Sequence, residues 1–250
     1  MSIAEALVLL GAGTLAGVFS TAASVASVVS YPVLLALGLP PLSANVTNTM
    51  ALVLTGAGSV IGSRPELTGQ RRRVLRLGLL TAAGGAAGAA VLLLGPASTF
   101  VTVVPVLIGG ASLVLITAPL IRGLAPVPGA ERSRTRRAGL FAVAAYVGYF
   151  GAAGGIMLLA ALGSMIDEPM ARLNAIKNAI SGMANGVAAA AFAFLAPVHW
   201  AFIPPLAAGF LVGGLAGPSL VRKLPQRVFR VFVALCGLAL AVRLGISAYR

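Results

Sequence analysis

Between residues 146 and 185 the chain combines two patterns that a soluble domain does not bring together. The first piece, YVGYFGAAGGIMLLAALGSM, is apolar enough for a membrane but is interrupted by a Gly/Ala tip at residues 151–155. The second, RLNAIKNAISGMAN, places Asn174, Lys177, Asn178, Ser181 and Asn185 at helical spacing, so they share one face. A polar stripe with a lysine inside an apolar helix is costly in lipid. It predicts a face turned towards a bundle interior or a water-filled path.

The same plan occurs earlier in the chain. Residues 15–38, LAGVFSTAASVASVVSYPVLLALG, precede residues 42–53, LSANVTNTMALV. Laying residues 17–19 over 148–150 puts the small residues 20–24, with Ser20 and Thr21, on the tip that holds Gly154 and Gly155. With a one-residue gap, Ala44, Asn45, Val46, Thr47 and Asn48 fall on Asn174, Ala175, Ile176, Lys177 and Asn178. A repeat of about half the chain length is the mark of a transporter built by duplication.

Composition agrees with a membrane solvent. Of 250 residues, 59% are hydrophobic and 9% charged, with a mean hydropathy of +1.01, which predicts an all-α polytopic helical membrane protein with no soluble domain beside it. The opening MSIAEALVLLGAG lacks a basic segment, so no cleaved signal peptide is expected. The net charge of +13 does not point to nucleic acid. Five of the 18 basic residues lie in 64–76, five in 122–137 and four in 222–230, all short stretches between apolar helices, where basic residues set orientation. Cys236 is the single cysteine and His199 the single histidine, so neither a disulfide nor a metal framework is expected, and no cofactor motif is present.

In chain order, residues 3–37 are too long for one crossing and must fold back as a hairpin with its tip at 20–24. Spanning helices are expected over 42–61, 74–94 and 99–121. A basic linker at 122–137 joins this repeat, about 3–121, to a second one, about 138–248. The second repeat opens with a hairpin at 138–165, whose arms of about 13 residues read as re-entrant, and continues with helices over 171–195, 202–221 and 228–248. If 138–165 crossed the membrane once, the basic loops at 122–137 and 222–230 would lie on opposite sides. If it enters and returns, all three basic loops are cytoplasmic, and the two halves are inverted repeats, each a broken-helix hairpin plus three transmembrane helices.

The candidate site follows from that frame. Helix starts at mid-membrane leave backbone N–H groups unpaired, which attract anions. Glu5, Glu66, Glu131, Asp167 and Glu168 all fall near the chain start or in loops and turns, so a carboxylate-lined cation site is not expected. The candidate binding residues are Ser20, Thr21, Asn45, Thr47, Asn48, Gly154, Gly155, Asn174, Lys177, Asn178 and Ser181. Lys177 has a competing reading as a snorkelling residue, five positions beyond Arg172. Gly84, Gly85, Gly88, Gly213 and Gly214 read as packing residues.

At these residues the chain resembles the TauE/SafE sulfite exporter family, whose members carry two copies of a Gly-rich turn, an apolar segment and a helix opening like A-x-x-T-S. The second copy is GYFGAAGGIMLLAALG followed by NAIKN, with Lys177 where threonine is usual. The first is GVFSTAASVASVVSYPVLLALGLP followed by ANVTN, with STAAS in place of the glycine cluster. The resemblance implies a secondary transporter of the cytoplasmic membrane that exports a small anion such as sulfite or an organosulfonate, coupled to protons. The alternative is a non-transporting scaffold or assembly subunit, whose polar stripe would bond a partner helix. No nucleophile–base pair or metal cluster supports an enzyme.

Overall fold

The computed structural model describes residues 1–23, 26–121, 131, 133–221 and 226–248, and among these the secondary structure is entirely helical. The first hairpin is α1 (Ile3–Ala23) and α2 (Ala26–Ala36). It is followed by α3 (Pro41–Gly62), a single turn α4 (Arg64–Leu67), α5 (Arg71–Leu94) and α6 (Ala97–Ile121). The second hairpin is α7 (Arg134–Tyr149) and α8 (Gly154–Met165), followed by α9 (Met170–Leu195), a 3-10 turn at Trp200–Phe202, α10 (Ile203–Val221) and α11 (Gln226–Ala248). The six helices expected to span are present within about three residues of their predicted ends. Of the basic stretches, residues 122–130, 132 and 222–225 lie outside the described residues.

Apolar and polar surface are distributed inside out relative to a soluble protein. Leu79, Val91, Leu94 and Phe194 are exposed, while Asn45, Thr47, Asn48, Thr81 and Lys177 are buried. That is the arrangement a hydrocarbon solvent selects, since unpaired polar groups cannot face lipid. Four helices among the described residues are long and apolar enough to cross a membrane: Ile3–Ser20, Arg71–Leu94, Ala97–Thr117 and Met170–Leu195. The protein is a polytopic helical membrane protein.

Helix packing interlocks the halves. α1 runs alongside α10 in the same direction. A side chain on Gly13 would meet Leu206 O, one on Gly17 would meet Phe210 O, and those on Gly209 and Gly213 would meet Leu10 O and Thr14 O. α5 and α7 are packed the same way, with Gly84 against Phe141 O, Gly88 against Ala145 O and Gly148 against Gly85 O. Small residues at this spacing bring backbones into contact, which is the main source of helix association when lipid is as apolar as leucine. Exchanging α1 for α7, α2 for α8, α3 for α9, α5 for α10 and α6 for α11 maps these contacts onto one another. α3 with α10 maps onto α9 with α5, α2 with α11 maps onto α8 with α6, and α3 with α9 maps onto itself.

Charged groups tie one end together. Arg73 pairs with Glu131 at 3.2 Å and with Glu168 at 3.0 Å, and Arg172 pairs with Glu168 at 2.8 Å. α5, α7 and α9 therefore begin at this end. α3 also finishes here, since only residues 63–70 separate it from α5. α3 and α9 thus run in opposite directions and cross where Gly56 and Gly182 meet, with a side chain on Gly56 coming within 3.1 Å of the Gly182 Cα.

One boundary differs from expectation. α1 remains helical through Ser20 to Ala23, so the first hairpin does not break at residue 20; residues 24–25 lie outside the described residues, and α2 begins at Ala26. Ser, Thr and Ala all tolerate a helix, and in an apolar solvent the backbone keeps its internal hydrogen bonds until a residue forces them open.

Candidate functional site

The second hairpin breaks because its glycines and one alanine allow it to. α7 ends at Tyr149. Gly151 then takes φ +76° and Ala153 φ +55°, both left-handed, before α8 restarts at Gly154. Side chains hold this turn in place. Tyr146 Oη donates to Ala152 O at 2.7 Å, and Asn45 Nδ2 donates to Tyr149 O at 2.9 Å, filling one of the open carbonyls at the end of α7. Phe150 is clamped edge-on by Tyr31, with ring centres 5.4 Å apart, and by Phe100 at 6.1 Å. At the start of α8, Gly154 N–H donates to Gly151 O, and Ile156 N–H and Met157 N–H donate to Ala153 O. Gly155 N–H has no acceptor among the described residues, and Gly155 borders a cavity.

That cavity, about 60 Å³, lies at the α3–α9 crossing between the two hairpins. α9 contributes Lys177, Asn178, Ser181 and Asn185; α3 contributes Thr49, Thr55 and Ser59; the hairpins contribute Ser20, Ser27, Phe150, Gly151 and Gly155. Lys177 is 2% exposed and is the one charged side chain among the described lining residues. A snorkelling lysine would carry its ammonium at the protein surface, and this one is inside the bundle.

The expected site residues divide into two groups. Ser20, Gly155, Lys177, Asn178 and Ser181 line the cavity. Asn45, Thr47, Asn48, Gly154 and Asn174 do not, and most of these hold structure together. Asn48 accepts from Ser30 Oγ at 2.6 Å and donates to Ser27 Oγ at 3.1 Å, tying α3 to α2. Thr47 Oγ1 accepts from His199 N–H at 3.0 Å, Asn45 caps α7 as described, and Gly154 lies against Val147. Asn174 is half-buried on α9, and the Thr21 side chain lies outside the described residues.

The helix starts also correct the repeat alignment. Pro40 and Pro169 are the N-caps of α3 and α9, with φ, ψ of −56°, 149° and −54°, 146°. Counting from these prolines, Asn45 matches Asn174 and Asn48 matches Lys177, one residue away from the register read from the sequence. Thr55, Ser59 and Ser27 were missed altogether. Thr55 and Ser59 sit about four and five turns into α3, where sequence alone gives no reason to prefer them over other hydroxyls.

The comparisons with known proteins are decided by one match. A family model described as Sulfite exporter TauE/SafE covers residues 9–244. The chain belongs to the TauE/SafE sulfite exporter family. No curated protein and no solved structure matches it. Membership makes the chain a multi-pass membrane transporter of the sulfite exporter type, with a small anion as its substrate and the bilayer as its solvent. The anion reading and the cavity chemistry agree, since an ammonium, amides, hydroxyls and a helix N-terminus are all donors.

Proposed function

We propose that this TauE/SafE member moves a small oxyanion, sulfite or an organosulfonate, out across the cytoplasmic membrane, coupled to protons, with the anion held in the cavity at the α3–α9 crossing. The observation that carries the reading is Lys177, 2% exposed, on the wall of a cavity whose polar lining is hydroxyls and amides, together with the start of α8. A fixed positive charge acts far more strongly on an anion in such a low-dielectric place than in water. Gly155 N–H and the α8 N-terminus add a partial positive charge from the second hairpin.

The pairing of α1 with α10 and of α5 with α7, and the opposite directions of α3 and α9, support two inverted repeats of about 3–121 and 138–248. In such a frame alternating access is a rocking of one half against the other around a fixed central site. The basic ends of α5, α7 and α9 are cytoplasmic by the positive-inside rule.

The test is sulfite flux in proteoliposomes with an internal pH dye. Wild type should carry sulfite and move protons with it. Lys177→Gln, which keeps a donor but removes the charge, should lower flux about 100-fold or more, the scale of removing a buried charge from its counterion. Arg172→Gln, in the surface ion-pair group, should change flux less than about threefold. Equal flux from the two variants removes Lys177 from the site.

A further inference from the structure

Thr55 contributes to the α3 wall of the cavity a hydroxyl with nothing to bond. The residue is 4% exposed, and its Oγ1 is buried with no hydrogen-bond partner. Several other buried hydroxyls among the described residues are satisfied. Thr49 donates to Asn45 O at 3.0 Å, Ser112 to Ile108 O at 2.8 Å, and Thr81 reaches Ile180 O at 2.9 Å on a neighbouring helix. A serine or threonine inside a helix can bond back to the carbonyl four residues earlier, as Thr49 and Ser112 do. Thr55 does not. Its methyl group lies towards α10, 3.8 Å from where Gly214 would carry a Cβ, and the residue lines the cavity shared with Lys177, Asn178 and Ser181.

An unsatisfied buried hydroxyl is costly and is found where something else is meant to bond it. We propose that Thr55 is a specificity-determining ligand of the transported anion, donating from Oγ1 to an oxygen that Lys177 alone does not reach. This rests on the anion reading of the cavity. Residues that carry donors then line the space from both halves: Thr55 from α3, and Lys177, Asn178 and Gly155 from the second half. Such a divided set suits an ion with several accepting oxygens, a pyramidal or tetrahedral oxyanion. A spherical halide gains mainly from the charge. Thr55 thus selects the substrate class while Lys177 supplies attraction common to all anions.

The experiment is calorimetric titration of the purified full-length protein with sulfite and, separately, with chloride, together with melting of the anion-free protein. Thr55→Val replaces the hydroxyl with a methyl of similar size, and Thr55→Ser keeps the hydroxyl. Thr55→Val should bind sulfite roughly 10- to 100-fold more weakly, the scale of one hydrogen bond to a charged group. Its chloride affinity should be unchanged, and without anion it should melt at or above the wild-type temperature, since no bond is lost. Thr55→Ser should restore most of the sulfite affinity. Wild-type sulfite binding in Thr55→Val overturns the proposal. So does a clear fall in its anion-free melting temperature, which would mean the hydroxyl serves the fold. If Lys177→Gln loses sulfite while Thr55→Val does not, the anion site stands and only the role of Thr55 falls. If wild type binds no anion, the reading of the cavity falls first.

Discussion

The two hairpin tips occupy equivalent places in the fold and are built from opposite materials. The second breaks sharply, with Gly151 and Ala153 left-handed and a fresh helix start at Gly154. The first keeps α1 helical to Ala23. The second tip therefore brings backbone to the cavity through Gly151 and Gly155, while the first brings the side chains of Ser20 and Ser27. The helices that follow diverge too. Where α9 offers Lys177, α3 has Asn48 at the matching position, and Asn48 is spent on Ser27 and Ser30. Here one half places a lysine and a helix N-terminus on the cavity and the other places hydroxyls, so the cavity has unlike walls.

The largest effect should come from removing the contrast at the tips. Gly151→Val forces a β-branched residue to φ +76°, with its Cβ 3.0 Å from Val147 O, and no L side chain other than Asn or Asp takes that conformation readily. Sulfite flux per inserted molecule should fall by about two orders of magnitude or more, since a displaced tip misplaces a site held by fixed geometry. Ser20→Ala, on helical backbone, should lose no more than several-fold. Similar losses from both would mean that the tips contribute alike.

A smaller effect separates the two asparagines. Asn48→Ala removes the side chain that bonds Ser27 and Ser30, leaving Ser30 its bond to Ala26 O, and should destabilise the protein by about 1–3 kcal/mol in detergent unfolding, with little change in sulfite affinity. Asn178→Ala should do the reverse, weakening affinity roughly tenfold with little change in melting temperature. Swapped results would place the site on α3 instead of α9.

The smallest concerns the helix starts. α9 begins in the Arg73, Arg172 and Glu168 group, whereas α3, capped by Pro40, has no charged residue in its first turn. The hydrogen bond from Arg172, reinforced by Arg73 and Gln70, holds the Glu168 carboxyl below its ordinary value of 4.5. A depressed folded value means that the stabilisation is present above the ordinary value and is lost as pH falls through the lower one. Acidifying below about pH 4.5 should cost stability by under about 1 kcal/mol, as for partly exposed ion pairs. Glu168→Gln should abolish that part of the pH dependence. An unchanged acid profile in the variant would show the group to be decorative.

The sequence determined the membrane class, the six long helices and the lysine face, because apolar run length and helical period are local properties. Lys177, Asn178 and Ser181 were legible for that reason, since a polar stripe in lipid must face inward. Gly84, Gly88 and Gly213 were legible as packing residues because the lipid gives small residues that use. The tertiary structure decided the rest. Asn45, Thr47 and Asn48 looked like ligands on a matching helix start, yet Tyr149, His199 and the serines of α2 claim them, from 104, 152 and about 20 residues away in the chain. Thr55 had no local signal at all. Its hydroxyl has no partner and its methyl lies against α10, and both depend on how helices distant in sequence cross. Which donors are used up within the protein, and which are left for a ligand, is a property of the packed bundle, since each hydrogen bond needs two groups that only the fold brings together.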